Sequence, residues 1–263
     1  VTALLNALLL QLLSHLPAES TALSAVAHAA WMQAQLPVDP APATSLHLVR
    51  RLRRPTPIDA QWDKPMWAAA EPLRIRHQMG SPSAFTPTVE AKLAYDKANV
   101  YVIFRVQDRF VRSLVQEYNG NVSGDSCVEF FFAPDAARPL CYFNLEVNAG
   151  GTPLIFYIQK PMSDVQRLTG EEIAQIEIAH SMPRIVYPEV EGPVTWTIEC
   201  RIPLSLLEKY TPVTRPARGK SWKANLYKTG SRTSNPNYLT WSPVEFPRPN
   251  FHLPQYFGTL SFR

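Results

Sequence analysis

Alternation of apolar and polar residues with period two runs through the chain from Val89 onward, and it limits the possible folds more than any other feature. In Val89-Glu90-Ala91-Lys92-Leu93-Ala94-Tyr95, the residues Val89, Ala91, Leu93 and Tyr95 share one face, the pattern of a half-buried strand. Asp96-Lys97-Ala98-Asn99 reads as a turn, and residues 100–106 return as the second strand of a hairpin. Further strands are expected at residues 126–133, 141–148, 153–159, 194–202, 221–229 and 256–262. Twenty-five prolines against ten glycines exclude long uninterrupted helices and suit short strands joined by stiff loops. Helical pattern is confined to residues 61–70, with Asp59 as cap, and to residues 205–209. The expected fold is all-β: an antiparallel, jelly-roll-like β-sandwich with one or two short helices.

Hydrophobic residues at 46% supply a sizeable core, and charged residues at 18% argue against disorder. The net charge of +4 is a mild basic bias. Arg50, Arg51, Arg53 and Arg54 form one basic cluster, but no second cluster with interleaved aromatics follows, so no nucleic-acid partner is expected. Cys127, Cys141 and Cys200 lack the close spacing of a zinc knuckle or redox motif. Three buried thiols is the favoured reading, with one disulfide plus a free thiol as the alternative.

Residues 1–49 contain no Lys or Arg, and their acids are Glu19 and Asp39. They read as a leader-like segment and a proline-rich linker, separate from a domain at residues 50–263. The apolar run at residues 3–13 is too short to span a bilayer, which needs about 20 residues. It fits the middle of a signal peptide, with small residues at 25–30 for cleavage. That reading places the domain in the periplasm, at the cell surface or outside the cell. Translation starting at Met32 would make it cytoplasmic, and a helix within residues 1–36 docking on a membrane or partner is the third reading.

The alternation also says which side chains leave the core. Phe143, Leu145 and Val147 face inward, so Asn144, Glu146 and Asn148 point away. Trp196, Ile198, Cys200 and Ile202 leave Thr197, Glu199 and Arg201 outside. Trp222, Ala224 and Leu226 leave Lys223, Asn225 and Tyr227 outside. Val128, Phe130 and Phe132 place Glu129 opposite, between Cys127 and Phe131. Were these strands neighbours, one outer face would carry Glu129, Asn144, Glu146, Asn148, Asn225 and Tyr227. Carboxylates, amides and an aromatic together suit a polyhydroxylated ligand, although an ordinary wet sandwich face has the same pattern.

Several stretches resemble the family 9 carbohydrate-binding modules and their free-standing relatives. Ile58-Asp59-Ala60-Gln61-Trp62 through Trp67 resembles the family's opening motif. Residues 89–108 resemble its first hairpin, Gly124-Asp125-Ser126-Cys127-Val128-Glu129-Phe130-Phe131 its "DDSVEIFL", and Tyr142 through Asn148 its "Y..FEVN" strand. Trp222 through Tyr227, Leu239-Thr240-Trp241-Ser242-Pro243 and Tyr256-Phe257-Gly258-Thr259-Leu260 resemble its closing motifs, so the likeness runs in order over residues 50–263. It implies a module that binds glycans without cleaving them. Sugar-binding members clamp a terminal sugar between two tryptophans. The first aligns with Val122, where Tyr118 is the nearest aromatic, and the second with Phe251. Glu129 matches a carboxylate that hydrogen-bonds sugar hydroxyls, Asn148 matches the polar end of the next strand, and Glu146 stands where the family has an arginine. The segment from Trp241 to His252, with Phe246 and Phe251, resembles that of the free-standing relatives. The resemblance implies ligand contacts from Glu129, Asn148, Phe251, Glu146, Asn225, Tyr118, Trp241 and His252.

Family members often hold structural calcium on loop oxygens, and Asp125, Asp108 and Asp96 are candidates by residue type. No other cofactor is expected. Asp125 with Glu129, or Glu129 with Glu146, has the makings of a glycosidase pair, but no catalytic residue is assigned. The alternative to glycan binding is an interaction subunit that docks on a protein assembly through Tyr118, Phe246, Phe251 and Tyr256, taken as exposed.

Overall fold

The computed structural model describes residues 45–52, 56–161 and 163–263 of the chain. The expectations on the leader, the linker and Arg53 and Arg54 lie outside the described residues. In chain order the described elements begin with β1 (Leu46–Arg51), α1 (Pro65–Ala68), β2 (Leu73–Ile75), β3 (His77–Gln78), β4 (Thr88–Tyr95) and β5 (Asn99–Ser113). They continue with β6 (Cys127–Ala133), β7 (Tyr142–Asn148), β8 (Pro153–Lys160), β9 (Asp164–Arg167), α2 (Gly170–Ile173) and β10 (Glu177–His180). The last are β11 (Val186–Pro203), α3 (Leu204–Leu207), β12 (Ser221–Thr229), β13 (Tyr238–Thr240) and β14 (Gly258–Phe262). Every strand expected from alternation is present.

The strands form one curled path, β10-β11-β5-β4-β1-β14-β12-β6-β7-β8-β9. β1 is its joint. Leu46 to Val49 pair in parallel with Thr259 to Phe262 of β14, and Arg50 and Arg51 then pair in parallel with Ala94 and Tyr95 of β4. The other pairings are antiparallel, β4 with β5 in the expected hairpin among them. The sheet is therefore mixed rather than wholly antiparallel, and its first strand starts before residue 50. Strand direction in β1 depends on partners about forty and two hundred residues away in sequence, so alternation within β1 carries no sign of it.

The inward stripes are the ones the alternation gives. Val89, Ala91 and Leu93 from one arm and Phe130, Phe132, Phe143, Leu145, Trp222 and Leu226 from the other join a single buried cluster with Trp196 and Ile198. Phe132 stacks on Trp222 with ring centroids 5.6 Å apart and planes 14° apart. Each such large side chain contributes roughly 1.5–3 kcal/mol by leaving water. Gly258, in the closing Phe-Gly pair, lies where Trp241 crosses the backbone. A Cβ there would meet Trp241 and the Ser45 carbonyl oxygen at 2.7 Å.

Helices are short, as the prolines require. α3 falls within one residue of its expected start, whereas α1 begins at Pro65 with Lys64 as its N-terminal cap residue. Asp59 does not cap it. Its Oδ1 accepts from Gln61 N and from the Lys64 ammonium. Glu199 also departs from expectation, for its carboxylate is fully buried. It accepts from the Lys64 ammonium at 2.7 Å, Trp67 Nε1 at 2.9 Å, and the backbone N–H groups of Asp59 and Ala60. The segment before α1 covers the outer face of β11 there, and Thr197 donates to the Ala60 carbonyl. The three cysteines are free, Cys127 and Cys200 buried and Cys141 half-buried.

Candidate functional site

Register gathers the outward residues of three neighbouring strands. Glu129 on β6 stands between Tyr227 of β12 and Glu146 of β7, and Phe131 stands between Asn225 and Asn144. This neighbourhood is what the sequence suggested, but the face is not wet. Glu129 is 2% exposed, Glu146 7%, and Asn144, Asn148, Asn225 and Tyr227 are buried. Residues 241–257 lie over it, and a second apolar cluster of Phe131, Tyr142, Tyr227, Phe251 and Phe257 forms beneath them. Period two decides which side of the sheet a residue occupies; it says nothing of a loop that packs on that side.

A cavity of about 240 Å³, open to solvent on one side, remains at the cover, lined by Glu129, Glu146, Thr229, Tyr238, Phe251 and His252 among others. Phe251 is 9% exposed and lies flat on Tyr227, while the Tyr227 hydroxyl donates to the Phe251 carbonyl oxygen at 3.2 Å. His252 shares a hydrogen bond of 2.8 Å between its Nδ1 and the Tyr142 hydroxyl. Burial pulls the imidazole down to about 4, so the ring is neutral at physiological pH. The two glutamates move the other way. Burial, followed by the charge of Glu146, holds Glu129 well above the usual carboxylate range, with Lys228 opposing. Burial raises Glu146 to about 7, against the Asn144 amide, which donates to it at 3.0 Å.

The site residues taken from the sequence thus separate into two groups. Glu129, Glu146, Phe251 and His252 meet at the cavity. The other four do other work. The Asn148 amide donates to the Val115 carbonyl and to Asp125, and its oxygen accepts from Thr152 N. Asn225 bonds the Ser242 carbonyl and accepts from the backbone of Leu226 and Ser242, which fixes the covering segment to β12. Trp241 is in the main core, and Tyr118 is exposed on a loop outside the cavity lining. Of the aromatics taken as exposed, Tyr118 and Phe246 are, but Phe251 and Tyr256 are buried. Thr229 and Tyr238 are cavity residues absent from the sequence-based set. Thr229 lies one step along the stripe of Asn225 and Tyr227, and Tyr238 of β13 pairs with it across the β12–β13 ladder.

The three aspartates considered for calcium are committed to donors. Asp125 accepts from Leu114 N, Val115 N and Asn148, with Arg112 at 3.4 Å. Asp108 accepts from Arg109 N and Phe110 N and lies 3.3 Å from the buried Lys228 ammonium. Asp96 closes the β4–β5 turn on Ala98 N, Asn99 N and the Tyr101 hydroxyl. Each of these carboxylates thus has N–H groups of the chain directed at it, with a cation beside Asp125 and Asp108.

Residues 68–262 match the model of Carbohydrate-binding family 9, about three quarters of the chain. The chain belongs to that family. A solved structure of a candidate carbohydrate-binding protein from Bacteroides uniformis ATCC 8492 is 26% identical, with a TM-score of 0.76, over 84% of this chain and all of that one. Two structures of a family 9 module from Caldicellulosiruptor kristjanssonii, one with cellotriose and one with glucose, are 16% identical over 83% of this chain. They cover 94% and 96% of those chains, with TM-scores of 0.58 and 0.57, and share the fold. No curated protein matches the chain. Of the two positions aligned with the family 9 clamp tryptophans, Val122 is fully buried against Cys127 and Leu154, and only Phe251 lines the cavity.

Proposed function

We propose that this family 9 domain is a non-catalytic carbohydrate-binding protein that takes one sugar residue into the cavity beneath residues 241–257. The observation that carries the reading is the convergence there of Phe251 with Glu129, Glu146, Thr229, Tyr238 and His252. An aromatic ring offers an apolar wall for a sugar face, and carboxyl, hydroxyl and imidazole groups exchange hydrogen bonds with its hydroxyls. A carboxyl that keeps its proton at neutral pH donates as well as accepts, which suits a ligand whose every hydroxyl does both. The volume lies below the roughly 300–1,000 Å³ of ordinary small-molecule sites, which favours a single ring over a chain of them. The module structures solved with glucose and cellotriose make glucose and its β-linked oligomers the first ligands to try.

The arrangement of the acids supports binding over cleavage. Hydrolysis needs two carboxyls flanking the scissile bond. Glu129 and Glu146 are cross-strand neighbours on one wall, so both approach a ligand from the same side. A glycan partner also fits the extracytoplasmic location expected from the leader-like segment.

Calorimetric titration of the full chain with glucose, cellobiose and cellotriose, backed by a glycan array, tests the reading. One saturating site per chain is expected, weakened about tenfold or more in Glu129→Ala through lost hydrogen bonds to a charged or shared-proton group. A folded protein that binds nothing on the array would refute it, and release of new reducing ends from any bound glycan would refute the non-catalytic part.

A further inference from the structure

Two carboxyls that line the cavity come together with a thiol just behind its lining, and no Lys or Arg lines the cavity beside them. Cys127 and Glu129 are alternate residues on the outer face of β6, and Glu146 faces Glu129 across the β6–β7 pair. The Cys127 Sγ and one carboxylate oxygen from each glutamate lie within 4.8 Å of one another. All three side chains are at least nine-tenths buried.

Glu129 is the independent sign that something is missing. At 2% exposure its carboxyl opens on the cavity, and no N–H or O–H group of the described residues donates to it. Buried carboxylates are ordinarily paired or hydrogen-bonded, because removing an unpaired charge from water costs several kcal/mol. Like charges directly opposite on neighbouring strands add to that cost. Lys228 is the nearest compensating charge, but it alternates with Tyr227 and so lies on the other face of β12. Its ammonium there is held by the Thr229 carbonyl, Asn237 Oδ1 and Asp108. No Lys or Arg lines the cavity.

The geometry points to a divalent metal site formed by Cys127, Glu129 and Glu146, with its open coordination position facing the cavity. The donor set names the class of metal. One soft sulfur with two hard oxygens suits zinc, for which carboxylate, imidazole and thiolate are the common ligands, whereas calcium and magnesium take oxygen alone. Three protein ligands with a fourth position open is the form of zinc sites that accept an exogenous oxygen ligand. The thiol proton and the protons held by the two carboxyls pass to solvent when the metal binds, and its positive charge supplies what the buried carboxylates lack. This assignment stands apart from the sugar reading, although a bound metal would occupy the same glutamates and present its open position to whatever enters the cavity.

The test uses the untagged full chain, stripped with chelator and titrated with zinc alone and with cadmium alone, without sugar. The expected result is one equivalent of zinc bound, and an ultraviolet thiolate-to-cadmium charge-transfer band. Cys127→Ser should abolish the band, and both Cys127→Ser and Glu129→Gln should weaken zinc binding by at least about tenfold. Cys141→Ser, on the half-buried thiol outside the cluster, should change neither. Glu129→Gln keeps the shape of the side chain, so it carries the test should Cys127→Ser fail to fold. Three results overturn the assignment: no saturating zinc binding by the folded wild type, a band that follows Cys141, or unchanged affinity in Glu129→Gln. Because no sugar is present, zinc without glycan binding removes only the sugar reading, and glycan without zinc binding removes only this one.

Discussion

Phe251 lies flat against Tyr227, with ring centroids 4.1 Å apart and planes 13° apart. One aromatic belongs to the covering segment and the other to the sheet beneath it, so this stack seals the segment onto β12. One face of Phe251 is thereby occupied, and what remains of the ring for a ligand is the part that lines the cavity with Glu129 and His252.

Truncating this ring should therefore act on stability and on binding together. Phe251→Ala is expected to cost about 3–5 kcal/mol, the range for removing a buried phenylalanine, and to lower sugar affinity with it. Phe251→Leu keeps much of the apolar volume and should recover most of the stability without recovering the binding. Urea unfolding beside calorimetry on both variants checks this. A Phe251→Ala protein as stable as wild type would mean that the stack does not hold the segment.

Glu199 is a stability residue with no part in the cavity. Glu199→Ala strands the buried Lys64 ammonium, Trp67 Nε1 and two backbone N–H groups. The loss expected from breaking a buried ion pair is about 3–5 kcal/mol. Tryptophan fluorescence should follow the unfolding, since Trp67 is fully buried beside it. Sugar affinity of the fraction still folded should equal wild type. A change in affinity at unchanged stability would place Glu199 in the wrong role.

The cavity groups make opposite demands on pH. His252 titrates near 4 in the fold against 6.5 when free, so its contribution is complete above about 6.5 and is lost as pH falls toward 4. Glu146 titrates near 7 against 4.5, so its contribution is complete below about 4.5 and is lost as pH rises through 7. Glu129 acts in the same direction as Glu146. Relative to wild type, Glu146→Gln should gain stability from pH 4.5 to pH 7, by at most about 1.4 kcal/mol per unit. His252→Gln should gain as pH falls over the same range. Urea midpoints in chelator at the two pH values decide it, and curves parallel to wild type for both variants would rule out the coupling.

The legible part of this protein was local. Alternation in β6, β7 and β12 assigned Phe130, Leu145 and Leu226 to the core and Glu129, Glu146 and Asn225 to the other face, and each lies on the expected side. Ordered motifs from Ile58 to Leu260 gave the family. The part not legible was what lies above a face. Asn148 and Asn225 have the polarity of ligand contacts, yet both are bound to backbone groups that come from other loops. Tyr238 entered the cavity through pairing with Thr229, a partner nine residues distant across a loop whose path no pattern announces.

What the sequence determined by itself was the set of strands, the sidedness of their residues and the family, because a period-two pattern and a motif are properties of neighbours along the chain. The tertiary structure alone decided that β1 joins the two arms in parallel, that Glu199 is buried beneath the segment before α1, and that residues 241–257 roof the polar face. Those outcomes depend on packing between segments far apart in sequence, where burial turns an expected solvated carboxylate into a hydrogen-bonded anchor at Glu199 and into an unpaired acid at Glu129.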